Sequence, residues 1–523
     1  MSARPDDRPA ARAAPPLPDP SEMLDHSAWI AGRPQLREYA RHWLDKAPPH
    51  RDKLFAEAMV LAAPSLGWST LGAVARAGSR VVGAVGVDGL ADIFQLATEA
   101  RRVRTGRQPR HAADDKARME SAVEHAQRLV EAGGPAYVKL GQFIASAKGL
   151  LPDEWVEAFA WCRDEVPPLR PGVADQIVER TFGTSPSELF ASFEPAPIAA
   201  ASIAQVHEAR LIDGTEVVVK IRRPGLRRKF LADIRVMALM AGAAERLVPE
   251  ARPANLAGFV ELFAQIVLEE LDFRLEAVNI VELALASENA AQEYVNYPRP
   301  IPGLVATNVL VMERVPGVRY TDALVAYPET VDGDKLLRLA IQSVLEQTLI
   351  YGKFHGDLHA GNVFIAPDGK FSLVDFGIVG RLTAEQRAGL VRFLIGFARG
   401  DVRLQLASMR DFGAIPPHAD FDRLVADVQV HADKLADIEI RAGQMSQGLE
   451  ELTESMSMIL RLLTGAGFVV PKPLVLFFKN LLYLNGFAAA LAPEANLLDE
   501  IEPIFTYFAA RYPQAIEQMA GEI

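Results

Sequence analysis

The stretch "HGDLHAGNVFIAPDGKFSLVDFG", His355 to Gly377, constrains this chain more than any other. Asp357 is followed five residues later by Asn362. An apolar run, the turn signal Asp368-Gly369 and a second apolar run then lead to Asp375, which opens D-F-G. Two short runs joined by Asp-Gly read as a β-hairpin. An Asp, an Asn five later and an Asp at a strand end meet the needs of phosphoryl transfer. One Asp faces the acceptor. The Asn and the second Asp offer oxygens to Mg²⁺, a hard cation that takes such ligands. Each residue alone says little, but their coincidence at kinase spacing says much. His355 and His359 stand at i, i+4, yet no Glu follows His355 as the zinc motif H-E-x-x-H requires. His355 is therefore read as a brace for the loop.

A nucleotide clamp lies upstream. "ASIAQVHEARL" alternates, "IDG" is a turn signal and "TEVVVKI" is β-branched, which together make a hairpin turning at Asp213-Gly214. Lys220 sits on its second strand like the V-A-I-K lysine, which pairs nucleotide phosphates and a helix Glu. "EELDFRLEAVN", Glu269 to Asn279, supplies three candidate acids. Glu276 is assigned to Lys220, leaving Glu270 and Asp272 over. Ahead of Lys220, Ala199, Ala200, Ala201 and Ser202 stand where a Gly-rich loop would be. A Cβ keeps backbone from approaching phosphate as closely as Gly allows. The loop is expected to cover nucleotide with altered geometry, which weakens ordinary kinase activity. After Gly377, Thr383 and Gln386 form a capping-box signal for a helix only a few residues on. That leaves no room for a long activation loop, and there is no A-P-E.

"GPAYVKLGQF", Gly134 to Phe143, places Lys139 and Gln142 on one face of a helix that starts at Pro135. By itself the stretch favours a lysine snorkelling to water. The alternative is that the Lys139/Gln142 pair meets an anion or a carboxylate elsewhere in the chain.

Composition sets the outer bounds. The chain has 523 residues, half of them hydrophobic and 23% charged, so it is globular and holds two to four domains or one two-lobed body. A net charge of −12 argues against a general nucleic-acid binder. Its one cysteine permits no internal disulfide and fits a reducing compartment. The start, rich in Pro, Arg and Asp, carries no secretory signal and reads as a disordered tail over 1–25. "AMVLAAPSLGWSTLGAVA", Ala58 to Ala75, is uncharged but diluted by Pro, Gly and hydroxyl residues. It is read as a buried or interfacial helix within a region, 55–90, that is the candidate for membrane contact. The basic "RRVRTGRQPR" after it is a linker or a contact for anionic headgroups. "PLVLFFKNLLYLNGFAAALA" is apolar but broken by Lys479, Asn480 and Gly486, and reads as a buried helix pair. The chain divides into a tail (1–25), a helical region with the basic linker (26–111), a helical extension (112–190) and two further units, 191–315 and 316–523.

On "KLGQ", "AAASIAQVH", "VVVKI", "EELDFRLEA", "HGDLHAGN" and "LVDFG", the chain resembles the UbiB/AarF/ADCK family of atypical kinase-like proteins from about residue 115 to about 490. The resemblance implies an α+β, helix-rich, two-lobed protein-kinase-like fold with an N-terminal helical extension packed over the active site. It implies ATP and Mg²⁺ as cofactors, with ATP hydrolysis rather than protein phosphorylation. Carried over by motif, Lys220 pairs with Glu276, Asp357 is the catalytic-loop Asp, and Asn362 with Asp375 holds the metal. Gln142 is expected near the phosphates, and Lys139 with Glu270 and Asp272 forms a regulatory lid. Met312, Glu313 and Val315 match the hinge that meets adenine. The family's setting implies an isoprenoid or quinone lipid or its precursor, biosynthetic-complex proteins, and a cytoplasmic place peripheral to the inner face of a membrane. A small-molecule phosphotransferase of the aminoglycoside- or choline-kinase type, and a nucleotide-regulated scaffold without turnover, are the rival readings. "ASAKGLLP" departs from the Ser-Thr-Arg pattern of relatives, and no role is transferred to it.

Overall fold

A computed structural model describes residues 20–59, 75–81, 83, 112–145, 153–163, 167–247, 256–416, 419–436, 471–494 and 501–520. The basic linker, most of the 58–75 apolar run and "SAKGLLP" lie outside these residues. The fold is α+β and helix-rich, with an antiparallel sheet in the upper lobe and a mixed four-stranded sheet and a two-stranded pair in the lower.

The upper sheet runs in the order β1 (Phe190–Phe193), β3 (Ala204–Leu211), β4 (Glu216–Arg222), β7 (Val309–Glu313) and β6 (Pro300–Val305), with β2 (Ala199–Ala200) paired to β3. Its central hairpin is built by local turn chemistry. Gly214 takes φ +90°, a region closed to most residues, and Asp213 accepts a hydrogen bond from Thr215 N at 2.9 Å. The register sets Val206 opposite Lys220 and Lys220 opposite Leu310. Side chains alternate along a strand. Val217, Val219 and Ile221 thus bury one face of β4 in a small core with Val178, Val309 and Val311. The other face carries Lys220 into the cleft between the lobes.

The lower lobe holds β5 (Val295–Asn296), β8 (Val318–Arg319), β9 (Lys353–His355), β10 (Val363–Ile365), β11 (Phe371–Leu373) and β12 (Val379–Arg381). The β10–β11 hairpin turns at Asp368-Gly369, where Gly369 has φ +78°.

Eleven helices carry the rest of the argument. They are α1 (Pro20–His26), α2 (Pro34–Met59), α3 (Ala112–Gly133), α4 (Pro135–Ala145), α5 (Leu226–Leu247), α6 (Leu256–Glu269), α7 (Phe273–Asn289), α8 (Gly333–Leu349), α9 (Ala384–Ala398), α10 (Lys472–Leu491) and α11 (Ile501–Arg511). Between α3 and α4, Gly134 sits at φ +131°. A Cβ there would lie 2.8 Å from Asp233 Oδ2, so only glycine fits this close corner. α4 packs on α3, on the 3₁₀ turn Ala160–Arg163 and on α5. The capping box at α9 is formed in both directions: Gln386 N donates to Thr383 Oγ1 at 3.2 Å, and Thr383 N to Gln386 Oε1 at 3.0 Å.

Two expectations need correction. Residues 20–25 are not tail: they belong to α1, whose Leu24 is fully buried and which packs on α2 and α7. The expected apolar helix pair is one helix, α10. Gly486 costs a helix interior only about 1 kcal/mol, too little to break one whose Leu474, Phe477, Leu484 and Phe487 are buried. By length and composition α10 could cross a membrane, but its buried face and its polar contacts, given below, are those of a core helix.

Candidate active site

The cleft is built from three lysines and four carboxylates. Lys220 Nζ, from β4, donates to Glu276 Oε1 at 2.7 Å and to Asp375 Oδ1 at 2.8 Å. Glu276 lies in the first turn of α7, and its carboxylate also accepts from Phe376 N at 3.2 Å. Burial alone would lower the lysine's pKa, but Asp375 and Glu276 outweigh it and hold Lys220 above its ordinary value. Burial pushes the Glu276 carboxyl up to about 7, against the pull of Lys220. Burial would also raise Asp375, but Lys220 outweighs it and holds the carboxyl at about 2.

Asp375 has φ +58°, in the left-handed region that Asp tolerates better than most residues. This conformation turns Oδ1 toward Lys220 and leaves the side chain 51% exposed. Phe376 behind it is fully buried, and Asn279 Nδ2 holds its carbonyl at 2.7 Å.

His355 braces the loop from His355 to Asn362. Asp357 N donates to His355 Nδ1 at 3.1 Å, so that nitrogen carries no proton, and Nε2–H donates to Val374 O at 3.2 Å. Burial lowers the His355 pKa, which agrees with this neutral tautomer. Asn362 Nδ2 donates to Asp357 O at 2.9 Å, and Val374 N to Asn362 O at 3.1 Å. The hairpin thus sets Asn362 beside the strand that ends at Asp375. Among the described residues nothing donates to Asn362 Oδ1 or Asp375 Oδ2. An amide oxygen and a carboxylate oxygen, both uncommitted, suit Mg²⁺, which prefers oxygen and keeps several waters or phosphate oxygens. No cluster of three His, Cys, Asp or Glu suited to a metal occurs among the described residues.

Lys139 Nζ lies 2.8 Å from Glu270 Oε2, on a carboxyl whose pKa burial raises against the opposing pull of Lys139. Glu270 packs over the D-F-G glycine: a Cβ on Gly377 would meet Glu270 Cγ at 3.3 Å. Asp272 takes no part in this contact. It caps α7, accepting from Arg274 N at 3.1 Å, and pairs with the Arg274 guanidinium at 2.6 Å. A short acid just ahead of a helix is a good N-cap, and that local use wins over reach toward Lys139.

Gln142 bridges two loops. Its Nε2 donates to Cys162 O at 2.8 Å, and its Oε1 accepts from Ser202 Oγ at 3.3 Å. Both ends of the amide are therefore held by protein, in place of an open face toward phosphates. The Ala-rich loop it touches closes on itself through Ala201 N to Ala204 O at 2.8 Å, and Arg223 Nε donates to Ala201 O at 2.9 Å. Ala199 and Ala200 pair with Val206 and Gln205 as a strand. At the hinge, Met312 is buried, and the Glu313 side chain is taken by Arg33 at 2.6 Å and Arg299 at 3.0 Å. Glu313 N and Arg314 N donate to Arg299 O and Glu216 O. Of these hinge residues, Val315 has the N–H with no backbone partner among the described residues.

The sequence reading missed Lys479 and Asn480, taking them only as breaks in an apolar run. Lys479 Nζ lies 2.9 Å from Asp357 Oδ1, and Asn480 Nδ2 donates to His355 O. Burial would raise the Asp357 carboxyl, but Lys479 outweighs it and holds the group well below the ordinary range. A lone Lys-Asn pair inside an apolar helix was the available signal, since buried polar groups demand partners.

A cleft lysine tied to a helix Glu and a D-F-G Asp, above an H-G-D…N loop, defines a kinase-like protein. The model of the ABC1 atypical kinase-like domain matches residues 162–408. The chain is 31% identical over 389 residues to the probable protein kinase UbiB of Pseudomonas putida, covering 73% of this chain and 70% of that protein. The protein of the same name from Azotobacter vinelandii is 32% identical over 377 residues, covering 71% and 68%. That from Marinobacter nauticus is 31% identical over 406 residues, covering 76% and 70%. A solved structure titled the complex structure of Rv3197-erythromycin from Mycobacterium tuberculosis superposes with a TM-score of 0.43 at 23% identity, covering 68% of this chain and 91% of that one. The chain belongs to the UbiB family of ABC1 atypical kinase-like proteins.

Proposed function

We propose that the chain is an ATP-binding, Mg²⁺-dependent atypical kinase-like ATPase that supports ubiquinone or isoprenoid-lipid biosynthesis at the inner face of a membrane. The observation that carries this is the Lys220 ammonium shared between Glu276 and Asp375, beside Asn362 and Asp357. On this reading Lys220 takes the nucleotide phosphates, and Asn362 Oδ1 with Asp375 Oδ2 holds the metal, which when bound neutralises phosphate charge. Asp357 orients the attacking oxygen. Adenine meets the backbone from Met312 to Val315, with Val315 N–H as its donor. Ala199 to Ser202 cover the phosphates, with Gln142 fixing that loop. Lys139 and Glu270 lie over Gly377 and act as a lid across the place a peptide would occupy, which favours hydrolysis or a small lipid acceptor over a protein substrate. Lys139 belongs to the extension 112–190, which covers lobes at 191–315, where Glu270 sits, and 316–523. Membrane contact is assigned to residues 55–90 as a peripheral attachment.

Purified protein should melt at a higher temperature with ATP and Mg²⁺ than with either alone, and should hydrolyse ATP in the presence of isoprenoid lipid. Asp375→Asn should remove the Mg²⁺-dependent part of both effects. A wild-type protein with neither shift nor hydrolysis would sink the reading.

A further inference from the structure

Between Pro473 and Leu491, α10 carries one charged residue, Lys479. An ammonium in apolar surroundings is unfavourable unless something compensates it. The Lys479 side chain is only 12% exposed. Its ammonium lies 2.9 Å from Asp357 Oδ1 and 5.4 Å from the centre of the Tyr483 ring. The next residue, Asn480, donates to His355 O. Two adjacent residues of α10 therefore grip both ends of His355-Gly356-Asp357.

The loop supplies no strong cation of its own. Between Asp357 and Asn362 it reads "LHAG", and His359 Nε2 stays 3.9 Å from Asp357 Oδ2 while its Nδ1 accepts from Gly361 N. Lys220 is held by Glu276 and Asp375, and Lys139 by Glu270. The acceptor side of the cleft thus draws its cation from a helix 122 residues further along the chain. A lysine has three donors on a flexible stem, so one bond to Asp357 leaves two for a phosphoryl group.

We propose that Lys479 is a catalytic residue, whose ammonium contacts the phosphoryl group in transit between ATP and the acceptor oxygen. The proposal rests on the ATPase reading above. In the step, the bond from the γ-phosphorus to the bridging oxygen breaks, and its electron pair leaves with ADP. A bond forms from the oxygen of water, or of an acceptor hydroxyl, to the same phosphorus. The acceptor proton leaves by way of Asp357 to solvent. Lys479 moves neither proton nor electron. It donates hydrogen bonds to phosphoryl oxygens as their charge redistributes, a contribution realised in the transition state.

The rival is a counter-ion that only keeps Asp357 in place. Full-length Lys479→Met separates the two. Expected is a fall in kcat on the order of 10²-fold, with ADP affinity within about threefold of wild type. The preference for ADP with tetrafluoroaluminate over ADP alone should be lost, and Lys479→Arg should restore part of kcat. Unchanged kcat and an unchanged tetrafluoroaluminate preference would overturn the proposal and leave the ATPase reading standing. A wild type that neither binds nor hydrolyses ATP would overturn both. Where Lys479→Met does not fold, Asp357→Asn is compared with Asp357→Asn/Lys479→Met, in which both charges are gone. Contact with the phosphoryl group predicts that the double variant binds ADP with tetrafluoroaluminate more weakly than the single. Equal binding makes Lys479 a counter-ion.

Discussion

Helix α7 separates two charge clusters that differ in how fully their acids are compensated. In front, Lys139, Lys220 and Lys479 face Glu270, Glu276, Asp357 and Asp375, and one lysine must serve two acids. Behind, two acids are each met by several cations. Glu282 has Arg381 at 2.6 Å, Lys353 at 3.1 Å and Arg51 at 3.8 Å, while Glu269 has Lys472 at 2.9 Å, with Arg51 and Arg381 each at 3.7 Å. Burial would raise Glu282, but Arg381, Lys353 and Arg51 outweigh it and hold it at about 2; in front the two acids on Lys220 split, Asp375 held at about 2 while Glu276 rises to about 7. The rear cluster ties α2, α6, α7, α10, β9 and β12 together. The front is short of positive charge. A site left electrostatically unfinished is one that a cation or ligand completes, and such imbalance marks function more often than stability. Asn279 links the two, donating to Phe376 O in front and accepting from Arg381 at 2.6 Å and Arg51 at 3.0 Å behind.

The comparison breaks first at Asp375. Asp375→Asn should lower ATP turnover by at least about 10³-fold. It should lower the melting temperature without nucleotide by less than Arg381→Met does, because the Asp375 carboxylate, though held low by Lys220, is half exposed and its pairing is screened by solvent, and its removal eases repulsion with Glu276. A large loss of stability would mean that the front cluster is structural after all. Arg381→Met should do the reverse. Removing one partner of a buried ion cluster leaves Glu282 and Glu269 undercompensated, at about 3–5 kcal/mol. The melting temperature should fall by roughly 3–5 °C, with nucleotide affinity of the folded fraction within about threefold. A stable variant with impaired ATP binding would reverse the roles of the two clusters.

How much of this was legible depended on how local the cause was. Both hairpins could be read because Asp-Gly turns and alternating side chains act within a few residues. The α9 capping box and Pro135 at the start of α4 were equally local. The Lys139–Glu270 contact was reachable only through the family resemblance, which pairs the K-x-G-Q lysine with the E-x-D acids. Asp272 was misjudged because a carboxylate at that position serves equally as a cap or as an ion-pair partner, and spacing does not distinguish them. Lys479 escaped notice because its partner is 122 residues away and the helix around it reads as plain core. α1 was lost in a Pro-rich start, since a seven-residue helix has little propensity of its own and is held by packing around Leu24.

The next effect is a pH dependence at the corner that sets α4. Burial pushes Asp233 up to about 6, against the pull of Arg80, whose Nη2 lies 2.8 Å from it and whose Nε donates to Gly133 O at 2.9 Å. A carboxyl whose folded pKa exceeds the unfolded value binds its proton more tightly when folded. Its contribution to stability is therefore present below about pH 4 and is lost as pH rises through about 6. The full difference is about 2–3 kcal/mol. Melting curves of wild type and Asp233→Asn should diverge between pH 4 and 6, with the wild type losing ground as pH rises. Parallel curves would remove Asp233 from the account.

The smallest expected effect bears most directly on the front cluster. Lys139→Ala removes one partner of a buried pair, which by the rear-cluster rule should be severe. The front differs because the Glu270 carboxyl is already raised by burial. Without Lys139 it can take up a proton and become neutral, so the loss near pH 6 should be only about 1 kcal/mol. The loss should grow with pH, because keeping Glu270 protonated becomes harder. Hydrogen exchange across α4 should quicken in step. A loss that is large and independent of pH would show that Lys139 and Glu270 form a fixed strut like Arg381 and Glu282, and the lid would then be a permanent part of the fold.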